Sequence, residues 1–242
     1  MADVFRNLDL SVLTGMLLSI IPALICITFH ELAHGYTAYR LGDTTAKDMG
    51  RLTLNPIRHI DIFGLIMMIR FGFGWAKPVP VNMLNFKKPK THMALTALAG
   101  PVSNIILAAV VLVVYGLLFT PLGGQAVSSA GVVGLLVAPF GIAQAGGAGE
   151  IILFILARTA IISVALAVFN LLPIPPLDGS KVLFSFISDE MYYKLMRYER
   201  FGMILLILIL VTNVLDRSIG QAVAWLFDKL SVFAQAGYRI TG

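Results

Sequence analysis

Hydrophobic positions in this chain fall in long blocks separated by short polar stretches, and the blocks are the length of membrane spans. The first runs uncharged from Ser11 to Phe29, 19 residues. At about 1.5 Å per residue it nearly matches a hydrocarbon core of roughly 30 Å, and with the polar helical turn that follows it predicts a span over about 11–34. Its leader carries Asp3, Arg6 and Asp9 instead of a basic cluster, and no small-x-small cleavage site follows. We therefore expect a retained span, with Pro22 as a tolerated kink. Further blocks predict spans over about 93–118, 157–174, where Arg158 near the start would reach the interface, and 201–217. The stretch 219–236 is apolar but holds Asp228 and Lys229, and reads as a fifth span or as an interfacial helix.

Two shorter segments do not fit a solvated loop. Ile62 to Phe73 is too apolar to be solvated and too short to span, and Trp75-Ala76-Lys77-Pro78-Val79-Pro80-Val81-Asn82 follows it. Alternating prolines exclude a helix or a central strand, so about 62–86 reads as a membrane-dipping β-hairpin with an edge strand. Pro78 and Pro80 lack donors on one side of that strand. The N–H groups of Val79 and Val81 on the other side are expected to be free for an incoming peptide. The fold class is thus an all-α polytopic membrane protein with about 4–5 transmembrane helices, in one domain over 1–242.

Composition agrees. Of 242 residues 58% are hydrophobic and 13% charged, against roughly 45–50% and about 25% in soluble proteins. A net charge of +5 raises nucleic acid as a partner, but the basic residues occupy the connecting segments. Nine Lys or Arg lie between Gly35 and His92, four between Leu177 and Arg200, and none between Phe119 and Glu150. The positive-inside rule then places the two basic segments in the cytoplasm and excludes a nucleic-acid reading. The single cysteine, Cys26, can form neither an internal disulfide nor a CxxC site. Any metal must be held by His, Asp or Glu.

The residues that carry chemistry are His30-Glu31-Leu32-Ala33-His34 at the cytoplasmic end of the first span. In a helix the two histidines share a face and can grip one Zn²⁺, with Glu31 placed to take a proton. Ionisable groups on an apolar span are costly unless they do something. A catalytic zinc needs a third protein ligand. The best candidate is Asp178, which follows the proline-rich run Asn170 to Leu177 at the same membrane face; its other reading is the N-cap of a following helix. His59 and His92 lack ligand spacing and are expected to be solvated or interfacial.

These motifs together resemble the site-2 protease family of intramembrane zinc metalloproteases, in a minimal form without extra soluble domains. The resemblance rests on His30 to Gly35, Trp75 to Asn82, Ala99-Gly100-Pro101-Val102-Ser103-Asn104 and Asn170 to Gly179, in the family's order. It implies one Zn²⁺ per chain held by His30, His34 and Asp178, Glu31 as the catalytic base, and cleavage of transmembrane segments of other membrane proteins already cut by another protease. It also implies a prokaryotic plasma membrane location with the active site toward the cytoplasm. Asn104 and Asn170 match residues lining that family's site; an amide there could steady the substrate or serve interhelical hydrogen bonding. Ser180 stands where many members have a second glycine. With Pro78, Val79, Pro80 and Val81 these two asparagines make up the expected substrate-binding set. The rival class is a transporter or channel using His30, Glu31 and His34 as a proton or cation path, but that predicts inverted repeats, and none is visible. A purely structural zinc would be closed by four ligands, and three are in view.

Overall fold

A computed structural model of the chain describes residues 10–64, 66, 76–122, 147–197, 199–212 and 214–241. Eight α-helices are described: α1 (Leu10–Arg40), α2 (Thr45–Asp48), α3 (Pro89–Phe119), α4 (Ala148–Asn170), α5 (Asp178–Phe184), α6 (Asp189–Arg197), α7 (Glu199–Thr212) and α8 (Asp216–Thr241). Two 3₁₀ turns, Pro56–His59 and Met83–Asn85, punctuate the segment between α2 and α3. Pro89 opens α3, where its missing N–H costs nothing. Pro22 and Pro101 lie inside the long helices α1 and α3.

Helices α3 and α4, of 31 and 23 residues, are long and apolar enough to cross a membrane. Their rise is about 46 and about 35 Å. The outward face of α3 also suits lipid: Val102, Ile106, Val110 and Val114 recur every four residues and are all exposed. In water, that face would be the buried one.

Helix boundaries differ from those expected. The third block begins at Ala148, not near Arg158, which therefore sits well inside α4 and is buried rather than interfacial. A charge can be carried inside a span when protein surrounds it, so it does not mark the helix end. The fourth block ends early: α7 has 14 residues, about 21 Å. The last stretch is one helix of 26 residues, α8, that keeps Asp216, Arg217, Asp228 and Lys229 along its length.

The chain clusters into two compact units. The first takes the described residues within Met1–Cys26, Ile106–Val164 and Ala224–Gly242. In it α3 and α8 approach backbone to backbone: a side chain at Gly116 would strike the Ala234 carbonyl, and one at Gly237 the Val113 carbonyl. Small residues permit such close helix contact in membranes. The second takes Ile27–Ile105 and Ala165–Val223 and contains every candidate site residue. Its apolar cluster of Ala38, Phe86 and Met93, with Leu41, Val81 and Met83 against it, ties the loop before α3 to the end of α1. Lys90 donates to the Ile187 carbonyl and pairs with Asp189 at 2.9 Å, linking the start of α3 to that of α6.

The expected β-hairpin is reduced, among the described residues, to one antiparallel bridge between Ile60 and Ala76, with Lys77 N–H donating to the His59 carbonyl at 3.0 Å. Ile62 to Gly64 are helical, while 65 and 67–75, including Trp75, lie outside the described residues, as do the leader and 123–146. His59 corrects the sequence reading. It is 1% exposed, and its Nε2 lies 2.9 Å from the Thr53 carbonyl. The 3₁₀ turn exposes Ile57 and Arg58 and turns the histidine inward.

Candidate metal centre

Helical spacing on α1 brings His30 and His34 onto one face, with ring centroids 4.5 Å apart and planes at 90°. Asp178 arrives from the far side of the sequence. After α4 the chain turns through Leu171 to Leu177, and Leu177, not Asp178, occupies the N-cap of α5. As the first residue of α5, Asp178 places Oδ2 3.1 Å from His30 Nε2 and 3.2 Å from His34 Nε2. The turn is tight enough that a side chain at Gly179 would strike the Leu171 carbonyl. Ser180, in place of a second glycine, fits by donating its hydroxyl back to the Leu177 carbonyl at 2.7 Å.

Helix α3 forms the wall behind the imidazoles. The Thr96 carbonyl lies 2.7 Å from His34 Nδ1. That contact is satisfied when Nδ1 carries the proton, which leaves the Nε2 lone pair facing Asp178. One turn on, Gly100 lets the α3 backbone lie directly on both rings: a Cβ there would overlap His34 Cε1 and Nε2 and stand 2.6 Å from His30 Cε1. Asn104, one further turn along, is fully buried.

The donor set fits zinc. His30, His34 and Asp178 are all buried, and their ligand atoms lie within 4.8 Å of one another. The 3.1 and 3.2 Å separations are near the roughly 3.3 Å edge of a tetrahedron with bonds of about 2.0–2.1 Å. Asp178 Oδ2 is buried without an aligned hydrogen bond, as a lone pair meant for a cation would be. With two imidazoles and a carboxylate as the converging groups among the described residues, a bound zinc would have a position left for water or substrate, as in catalytic rather than structural sites.

Glu31 is partly exposed beside the cluster, and its Oε2 accepts the Val79 N–H at 2.7 Å. This overturns one expectation: the Val79 donor is not free for a peptide, because a carboxylate on α1 takes it. The same edge of the segment is engaged elsewhere, since Lys77 N–H donates to His59 and the Lys77 carbonyl accepts from Arg51 Nη2 at 2.8 Å. Val79 is buried and Val81 packs on the apolar cluster at Ala38, while Pro78 is exposed and Pro80 partly so. Asn170 donates its amide to the Leu166 carbonyl of its own helix at 2.9 Å. His92 is partly buried, with its ring in a T-shaped contact with Phe86.

Three contributors carried no role in the sequence reading: Thr96, whose contact is made by backbone, and Gly100 and Gly179, whose contribution is the absence of a side chain. In the sequence Gly100 and Gly179 stand only as members of the quoted motifs, and Thr96 shows only by its four-residue spacing from Gly100 and Asn104.

The model of peptidase family M50 matches residues 18–212. A protein of Bacillus subtilis (strain 168) named "Putative zinc metalloprotease YwhC" is 36% identical over 206 residues, 85% of this chain and 83% of that protein. Two mycobacterial proteins named "Putative zinc metalloprotease Rip2" are also similar. The one from Mycolicibacterium smegmatis is 27% identical over 99% of this chain and 85% of its own length, and that of Mycobacterium tuberculosis H37Rv 30% over 86% and 72%. No solved structure matches the chain.

Proposed function

The chain belongs to peptidase family M50 and is an intramembrane zinc metalloprotease, and on that premise we propose that His30, His34 and Asp178 hold the zinc and that Glu31 is the general base. The observation that supports this most directly is the convergence of two imidazole Nε2 atoms on one buried carboxylate oxygen. Bound there, the metal would supply Lewis acidity toward the scissile carbonyl and the attacking water. Val79 engages Oε2 of Glu31, so Oε1 is the atom left to take the proton from water and return it to the leaving amine. The reading as a transporter or channel finds no support in the family or in the named relatives.

The substrate in this reading is a transmembrane segment of another membrane protein, pre-cleaved by a different protease, which must unwind locally to expose its backbone. With the Val79 side of Lys77 to Val81 turned to the protein, the opposite edge offers the carbonyls of Pro78 and Pro80 and no donors of theirs. An unwound segment docking there would give its own N–H groups to those carbonyls. Asn104 belongs to the same wall as Gly100, and we assign its amide to the site. Asn170, bonded within its own helix, is the weaker substrate contact. The whole chain is read as one catalytic domain with four to five spans, in contact with lipid, in a prokaryotic plasma membrane with the zinc toward the cytoplasm.

Metal analysis of purified protein tests the ligand assignment. About one zinc per chain is expected, with marked loss in His30→Ala, His34→Ala and Asp178→Ala; undiminished zinc in Asp178→Ala would remove it from the site. Orientation is tested by cysteine labelling in intact cells. A cysteine replacing Ser129 should react with an impermeant reagent and one replacing Lys88 should not, and the reverse would put the zinc at the other face.

A further inference from the structure

Asp43 lies just past the end of α1 and is fully buried, yet it has no part in the metal site. The helix stops there in a defined way: Gly42, at φ +110°, lets its N–H reach the Tyr39 carbonyl while Asp43 N–H reaches that of Ala38. This six-to-one closure fixes the position of Asp43 on the helix that carries His30, Glu31 and His34. Both of its carboxylate oxygens are occupied. Oδ1 accepts from Thr45 N–H (3.1 Å), Thr45 Oγ1 (2.5 Å) and Asn85 Nδ2 (2.7 Å), and Oδ2 accepts from Asn82 N–H (2.7 Å). Burial by itself would raise the Asp43 pKa, but the hydrogen bonds from Thr45, Asn82 and Asn85 outweigh it and hold the group below the usual carboxylate range.

The segment held at Asn82 is the one that holds Glu31. From Val79 to Asn82 it runs beside α1 in the same direction. Val79 sits against Gly35 with its N–H on Glu31, Val81 packs on the cluster that includes Ala38, and Asn82 ends on Asp43. Lengths agree: Glu31 to Arg40 rises about 14 Å along a helix, and three extended residues cover about 10 Å before side-chain reach is added. Pro78 and Pro80 flank Val79, fix φ near −65° and keep the residues before them extended. A shift at Asn82 is therefore passed to Val79 instead of being absorbed between them. Arg51, itself buried, pins the other end at the Lys77 carbonyl.

We propose that Asp43 is a positioning residue for catalysis, holding the Pro78 to Asn82 segment along α1 so that the Val79 amide orients the Glu31 carboxylate. This rests on Glu31 being the general base. The test uses the full chain loaded with zinc and a fluorescently tagged single-span model substrate in phospholipid vesicles, comparing Asp43→Ala, Asp43→Asn, Val79→Pro, the Asp43→Ala/Val79→Pro double variant and Glu31→Gln. Asp43→Ala should lower kcat about tenfold or more, with KM within about twofold and zinc still near one per chain. Asp43→Asn, which keeps one acceptor oxygen, should fall between it and the parent. Because Val79→Pro already removes the donor to Glu31, adding Asp43→Ala should cost little more, whereas independent structural effects would multiply. Unchanged kcat in Asp43→Ala overturns the proposal, and so does zinc lost in step with activity or full multiplication in the double variant. Should Asp43→Ala fail to fold, parental kcat in Asp43→Asn overturns it alone. Turnover retained in Glu31→Gln would overturn the base assignment itself, whatever the Asp43 variants do.

Discussion

Glu31→Gln is expected to reduce turnover of a transmembrane substrate by about 10²–10⁴-fold, the range a positioned general base contributes, while zinc content stays near one per chain. The geometry makes this substitution a clean one. Glu31 lies beside the ligand cluster but is not among its converging atoms, which come from His30, His34 and Asp178. Glutamine keeps an oxygen that can accept the Val79 N–H now bound to Oε2. What changes is the second atom of the head group: an amide nitrogen that cannot take a proton replaces the carboxylate oxygen. The side chain therefore keeps its place and loses its basicity. Substrate affinity should hardly move, so the loss should appear in kcat. A Glu31→Gln protein that cleaves at the parent rate with its zinc intact would assign the base to another group.

Gly100→Ala is expected to weaken zinc affinity by about 10–100-fold, the cost typical of disturbing groups that orient metal ligands, and to lower activity accordingly at limiting zinc. Helix propensity argues the other way. Glycine inside a helix is about 1 kcal/mol worse than alanine, so on propensity alone the variant should be more stable. The site decides against that gain. A methyl at Gly100 overlaps the His34 ring and crowds His30 Cε1 at 2.6 Å, and both rings are buried. If α3 moves instead, the Thr96 carbonyl moves with it and His34 Nδ1 loses its partner at 2.7 Å. Zinc titration of the purified variant, followed by activity at rising zinc, reads the effect. Activity that recovers with added metal confirms a binding defect, and parental affinity would show that α3 does not press on the rings.

The histidine pair was legible in the sequence because its geometry is local: two histidines four apart on a helix must share a face, whatever else the chain does. The long apolar blocks were legible for a similar reason, since length and the absence of charge are properties of a segment by itself. Where a polar or charged side chain sits in tertiary structure is not such a property, which is why Arg158, expected at the interface, and His59, expected to be solvated or interfacial, are both buried. Asp178 stood between two readings until the turn after α4 carried it to the imidazoles, 148 positions from His30, and left Leu177 as the cap. Val79 shows the same division most plainly. The flanking prolines predicted an extended segment with one edge lacking donors, but which edge would face the protein depended on the position of Glu31, 48 residues earlier. The sequence by itself thus determined the long apolar blocks, the facing pair of histidines and the class of chemistry. Only the tertiary structure decided that Asp178 joins the histidine pair, that Gly100 makes room for the rings and that Val79 pairs with Glu31, because those depend on which distant backbones approach closely and which groups they leave to pair.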